Sequence, residues 1–191
     1  MPRIKAESVA AHRENQERRL LDAAKHVLLT DGPQAVTPGA VAKHAGISRP
    51  AVYQYFDNGV AMIERVVLDD FHKTLTQIQG AVAEETEARS KAHAYVVCVI
   101  NQAAQGMHLS ATALSTFPMP ADFKTQIDAL HRRQIEPLVA ALGELGISGR
   151  IELALIGGLV ETGVRLVEAG ASPEPVIAGV CRQIDAALTT A

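Results

Sequence analysis

From Ser8 onward, almost every segment of this 191-residue sequence repeats its apolar residues at steps of three and four, the period of an α-helix. The one competing stretch is Ala94–Ile100 (AYVVCVI), whose β-branched residues favour a strand locally. No turn signals flank it, so it is assigned to a helix from about Glu84 to Gly106. The expectation is an all-α chain of about nine helices with no internal repeat.

Local punctuation divides the pattern. Leu20, Leu21, Ala24, Val27 and Leu28 share one face of a first helix, which Asp31-Gly32-Pro33 stops. Thr37 and Pro38 form an N-cap and first-turn pair that opens a short helix through about His44, and Gly46 ends it. Ser48, with Pro50 in the first turn, opens a second short helix through Val52, Tyr53 and Tyr55 to Phe56. A long helix begins near Gly59, with Ile63, Val67, Phe71, Leu75, Ile78 and Val82 on one stripe. A short helix over Ser110–Pro120 follows, ended by Pro118 and Pro120, then a longer one to about Leu142 that Pro137 should kink. Ser148 to Ala169 places Ile151, Leu155, Leu159, Thr162 and Leu166 on one face, and Ser172-Pro173-Glu174 opens the last helix.

Composition narrows the function classes. An apolar fraction of 48% with 20% charged residues is that of a globular protein, and disorder is expected only at the ends. No apolar run reaches the roughly 20 residues of a membrane span, and the charged N-terminus does not resemble a secretory signal. Cys98 and Cys181 are too isolated for a disulfide framework or a structural zinc site, so the expected compartment is the reducing cytoplasm. The net charge of −3 is unevenly spread. Residues 1–60 hold eight Lys/Arg against six acids, a net of +2, while the remainder carries −5. That asymmetry favours an anionic partner for the N-terminal part.

Two short helices separated by a glycine turn and braced by an amphipathic helix form a helix-turn-helix, whose second helix fits a DNA major groove. On the pattern alone, an ordinary helical hairpin is an equal alternative. The particular residues decide: Arg18–Thr37 (RRLLDAAKHVLLTDGPQAVT) and Val41–Phe56 (VAKHAGISRPAVYQYF) resemble the DNA-binding domain of the TetR family of transcriptional regulators. The match includes the Asp/Gly stop, the Val-Thr entry, the Val-Ala pair, the Ala-Gly-Ile-Ser turn and the Tyr-x-Tyr-Phe end. It covers about the first third of the chain closely, and beyond that only helix number and length.

The resemblance implies a DNA-binding domain over residues 1–58, including a flexible basic arm, and a regulatory and dimerisation domain over 59–191. It places Thr37, Lys43, His44, Ser48, Arg49, Pro50, Ala51, Tyr53, Gln54 and Tyr55 at the DNA. A helix N-terminus such as that at Thr37 suits a phosphate. Arg49 suits guanine and Gln54 adenine by bidentate hydrogen bonds, while Tyr53 and Tyr55 suit phosphate or thymine methyl groups, and Lys43 and His44 the backbone. Val41, Ala45, Ile47, Val52 and Phe56 are expected in the core, and Tyr55 serves packing equally well. Relatives usually carry a Lys at the start of the fourth helix, where this chain has Asp57-Asn58-Gly59. A phosphate contact is thereby lost, and an arm bearing Arg3, Lys5 and Arg13 is a candidate to replace it.

For the remainder, the resemblance implies a homodimer through the last two helices, a palindromic double-stranded operator and a small apolar effector of unknown identity that releases a repressor. Tyr95, Cys98, Asn101, Gln102, His108, Phe117 and His131 are the candidate effector lining, each alone more in keeping with a structural role. Gly157, Gly158 and Gly163 suit either close approach of a second copy or room within one chain. The alternative to a regulator is a sequence-independent or effector-free architectural DNA-binding protein. An enzyme is not expected: the chain has no H-E-x-x-H, G-x-S-x-G, P-loop or dinucleotide motif, and its seven histidines lack ligand spacing. No cofactor, metal or membrane partner is expected.

Overall fold

The computed structural model describes residues 3–114 and 117–189. Among them are nine α-helices, one short 3-10 turn and no strand, the all-α architecture expected from the periodicity. The helices are α1 (Arg3–Asp31), α2 (Pro38–Ala45), α3 (Arg49–Val52), α4 (Gly59–Ala83), α5 (Ala88–Ala104), α6 (Leu109–Thr112), α7 (Ala121–Glu144), α8 (Arg150–Glu168) and α9 (Pro173–Thr189). None is long and apolar enough to cross a membrane among the described residues.

Two compact units divide the chain. The first comprises Met1–Asp70 with Leu109–Phe123, and the second Phe71–His108 with Lys124–Ala191. In the first, Leu20, Val27 and Leu28 of α1 are buried with Val41 of α2, Val52 of α3, and Met62 and Ile63 of α4. The helix ends follow local chemistry. The Thr37 hydroxyl accepts from Ala40 N at 3.2 Å, so it caps α2. Gly46 closes that helix at φ +66°, a left-handed conformation that a residue with a Cβ adopts only at a cost.

Several elements differ from their expected form. The arm carrying Arg3, Lys5 and Arg13 is helical, because α1 starts at Arg3 in a stretch of Ala, Glu, Gln and Arg with high helix propensity. The side chains of Arg3 and Lys5 lie outside the described residues. Ser48 occupies the N-cap position of α3 but makes no side-chain cap bond. The helix itself ends at Val52 rather than Phe56, and tighter turns continue it: Gln54 N and Tyr55 N donate to Ala51 O and Val52 O, four-residue turns, at 3.3 and 3.0 Å. The expected Ser110–Pro120 helix is confined to Leu109–Thr112, with residues 115–116 outside the described chain.

The second unit packs α5 against α8 and α9 around Val96, Ile100, Leu138, Leu142, Ile156, Val160 and Ile184. Gly163 belongs to this core: a Cβ built there would lie 2.8 Å from Ile100 Cδ1 and 3.2 Å from Val176 and Val180. Gly158 has open space instead. The apolar stripe Ile151, Leu155 and Leu166 of α8 is exposed, at 72%, 69% and 50%, while Ile156, Val160 and Val167 form the buried face.

Candidate nucleic-acid interface

The surface of the first unit is built around α2 and α3. Val41, Ala42 and Ala45 of α2 and Val52 and Phe56 in or after α3 are buried, and Ile47 is half-buried, so the outward positions follow from the helical period. Thr37, Lys43, His44, Ser48, Arg49, Pro50, Tyr53 and Gln54 are exposed, while Ala51 and Tyr55 are half-buried. All ten residues are in this unit.

Arg49 and Tyr53 are coupled at helical i,i+4 spacing. Arg49 Nη2 donates to Tyr53 Oη at 3.1 Å, and the guanidinium lies 5.8 Å from the Tyr53 ring centre. Such a cation–π and hydrogen-bonded pair restricts a long side chain before it meets a ligand. Arg13 stands 5.8 Å from the ring centre of Tyr55, which brings a basic side chain of α1 beside the end of the second short helix. His44 packs on His26 of α1, ring centres 4.9 Å apart, leaving Lys43 beside it on the last turn of α2. Two bracing contacts were not legible in the sequence. Arg19 Nη2 donates to Ala45 O at 2.9 Å, holding the C-terminus of α2, and Lys25 pairs with Asp70.

Gly59 has a steric role that the sequence conceals. Asn58 Oδ1 accepts from Ala61 N at 3.0 Å and caps α4, and a Cβ on Gly59 would lie 1.9 Å from the Val36 carbonyl oxygen. A Lys at this position therefore cannot supply a phosphate contact without displacing the backbone before α2.

Two short helices are thus joined through a left-handed glycine, with basic and amide side chains outward from the second. Residues 20–66 match the family described as bacterial regulatory proteins, tetR family. Residues 20–66 are a tetR-family helix-turn-helix DNA-binding segment. No curated protein sequence matches the chain. Among solved structures, a transcriptional regulator from Pseudomonas aeruginosa PAO1 is similar with a TM-score of 0.75 at 16% identity, covering 92% of this chain and 91% of that one. The TetR-family regulator PfmR from Thermus thermophilus has a TM-score of 0.70 at 18% identity, with 90% and 94% covered. FadR from Bacillus subtilis, solved in complex with stearoyl-CoA, has a TM-score of 0.69 at 16% identity, with 87% and 96% covered. At such identities the likeness beyond the tetR-family domain is one of fold.

The candidate effector residues are distributed between the two units. Phe117 lies in the first, and Tyr95, Cys98, Asn101, Gln102, His108 and His131 in the second. Tyr95 is buried, and burial followed by the neighbouring Cys98 pushes its hydroxyl up to about 12. Burial also raises the Cys98 thiol. Gln102 is buried with its amide engaged internally: Nε2 donates to Thr74 O at 3.1 Å and Gln77 Oε1 at 3.0 Å, with Cys98 Sγ at 3.5 Å. Gln134 Nε2 reaches the Thr74 hydroxyl from α7, extending the same network. Asn101 and His108 are half-buried. Burial lowers the pKa of His108, opposed by Glu168 and reinforced by His131. His131, whose ring meets Phe71 edge-on at 4.8 Å, is lowered by burial as well, against Asp128.

Proposed function

We propose that the chain is a sequence-specific, homodimeric transcriptional repressor that binds a palindromic operator through α3 and its following turn. The observation that carries this reading is Arg49, exposed on the second helix of a tetR-family domain and held by Tyr53. Arg49 and Gln54 are the base readers, since their side chains can make bidentate contacts to guanine and adenine. Thr37, Lys43, His44, Ser48, Tyr53 and Tyr55 contact the backbone, and Pro50 and Ala51 approach the groove wall. The DNA-binding domain spans 1–58 and the regulatory and dimerisation domain 59–191, with the protein acting in the cytoplasm.

The exposed apolar stripe of α8 supports the dimer. Ile151, Leu155 and Leu166 leave a row of large side chains in water, and Gly158 within it would let a second helix approach closely. Pairing α8 and α9 with those of a second copy gives an isologous interface. An effector bound in the second unit, near Asn101, His108 and His131, would release the operator. The solved FadR from Bacillus subtilis carries stearoyl-CoA, whose acyl chain supports a ligand with an apolar part here.

Footprinting on DNA carrying a selected site tests the reading. Protection of one short palindrome is the expected result, with half-sites about one helical turn, roughly 34–36 Å, or a multiple of that apart. Uniform coating of the duplex would refute sequence-specific regulation.

A further inference from the structure

Apart from the α3 surface and the second unit, the first unit contains a groove of about 460 Å³. One wall is the turn between α1 and α2, with Pro33 and Val36. The first turns of α4 supply Val60 and Glu64, and Phe117 and Pro120 close the third side. The volume falls within the range of small-molecule sites, below what a folded partner would need.

Charge identifies the occupant. Among the described residues, Glu64 is the only charged one lining the groove, and no ion pair or hydrogen bond reaches its carboxylate. The neighbouring Arg65 turns instead to Glu17, at 3.4 Å. Burial and then the nearby Asp122 raise the Glu64 pKa, so the charged form is short of compensation and a second acid adds to the negative field. An anion placed there would meet the Glu64 carboxylate within the field of Asp122, and a neutral apolar molecule would leave Glu64 partly desolvated without a partner. A cation with an apolar body relieves both penalties.

We propose that this groove binds a small organic cation, its apolar body against Pro33, Val36, Phe117 and Pro120 and its charged end at Glu64. The site differs in place and in ligand chemistry from the effector region of the second unit. It also adjoins the seam where Gly59 meets the Val36 carbonyl, one residue before the Thr37 cap of α2. An occupant therefore bears on the backbone that enters the helix-turn-helix.

The probes are decyltrimethylammonium and decanoate, which share chain length and differ in charge, titrated calorimetrically into the full-length protein without DNA. The wild type should prefer the cation by about tenfold or more, and Glu64→Gln should abolish most of that preference. Because the whole chain carries −3, a general preference for cations would survive Glu64→Gln, and that result would overturn the site. Equal affinity of the wild type for both probes would overturn it too. Phe117→Ala, which leaves the carboxylate in place, should weaken both probes, and unchanged affinity for the cation would contradict the groove. The titration needs no operator, so loss of the regulator reading would leave this one standing, and the converse also holds.

Discussion

Lys25 Nζ stands 2.8 Å from both carboxylate oxygens of Asp70, joining α1 to α4 inside the first unit. The Asp70 side chain is only 10% exposed, whereas that of Lys25 is 33% exposed, so the two partners differ in what their loss leaves behind. Lys25→Met strands a buried carboxylate. It should destabilise the protein by about 3 kcal/mol, the low end for breaking a buried pair because Lys25 is partly solvated. Lys25→Met with Asp70→Leu should recover most of the loss, since no unpaired charge remains. Urea unfolding of the three proteins checks this, and a double variant as unstable as the single one would contradict the account.

Gly59→Ala should destabilise by about 1–3 kcal/mol, as overpacking does, because the added methyl meets the Val36 carbonyl. A position free of this constraint would instead gain about 0.4–1 kcal/mol from the same change. The sign of the shift in unfolding midpoint separates the two cases.

That seam also shows what a sequence conceals. Thr37-Pro38 and Gly46 marked the ends of α2 because a cap and a left-handed glycine act on neighbouring backbone groups. The length of α3 was less legible, since Ser48 and Pro50 specify a start and nothing local specifies the stop at Val52. Gly59 resembled a missing phosphate ligand because its steric partner, Val36, lies 23 positions earlier in the chain. In α8 the period was correct for two opposite faces: the stripe through Leu155 is exposed and the one through Val160 is buried. Periodicity groups residues on a face without saying which face meets the core. The Arg13–Tyr55 approach and the Gln102 network join separate helices, so spacing along the chain carries no trace of them.

Two apolar positions on α8 and α9 separate on burial. Leu155 is 69% exposed and Ile184 is 0% exposed. Leu155→Arg should give a folded chain that sediments as a monomer, because the charge meets water in one chain and is buried unpaired only on association. Ile184→Arg should unfold the second unit instead, so it cannot report on association. A Leu155→Arg protein that remains dimeric would remove α8 from the interface.

Stability should fall on acidification through His108 and His131. Both have folded-state pKa values lowered chiefly by burial, so the unfolded chain takes up protons first. The loss starts as pH falls through the unfolded value, about 6.5, and levels off below the folded values. Chemical denaturation between pH 7.5 and about 5 checks the sign, and His108→Gln should flatten the profile. A stability that rises over this range would contradict the burial argument.

Selection of bound sequences from a random duplex pool, run in parallel with wild type and Arg49→Ala, tests the central claim most directly. The wild type should enrich a palindrome, and the variant should bind it about 1–3 kcal/mol more weakly with relaxed preference at one base pair in each half-site. A wild-type pool with no enriched sequence, or an Arg49→Ala pool with the same preference at every position, would contradict specific recognition by Arg49.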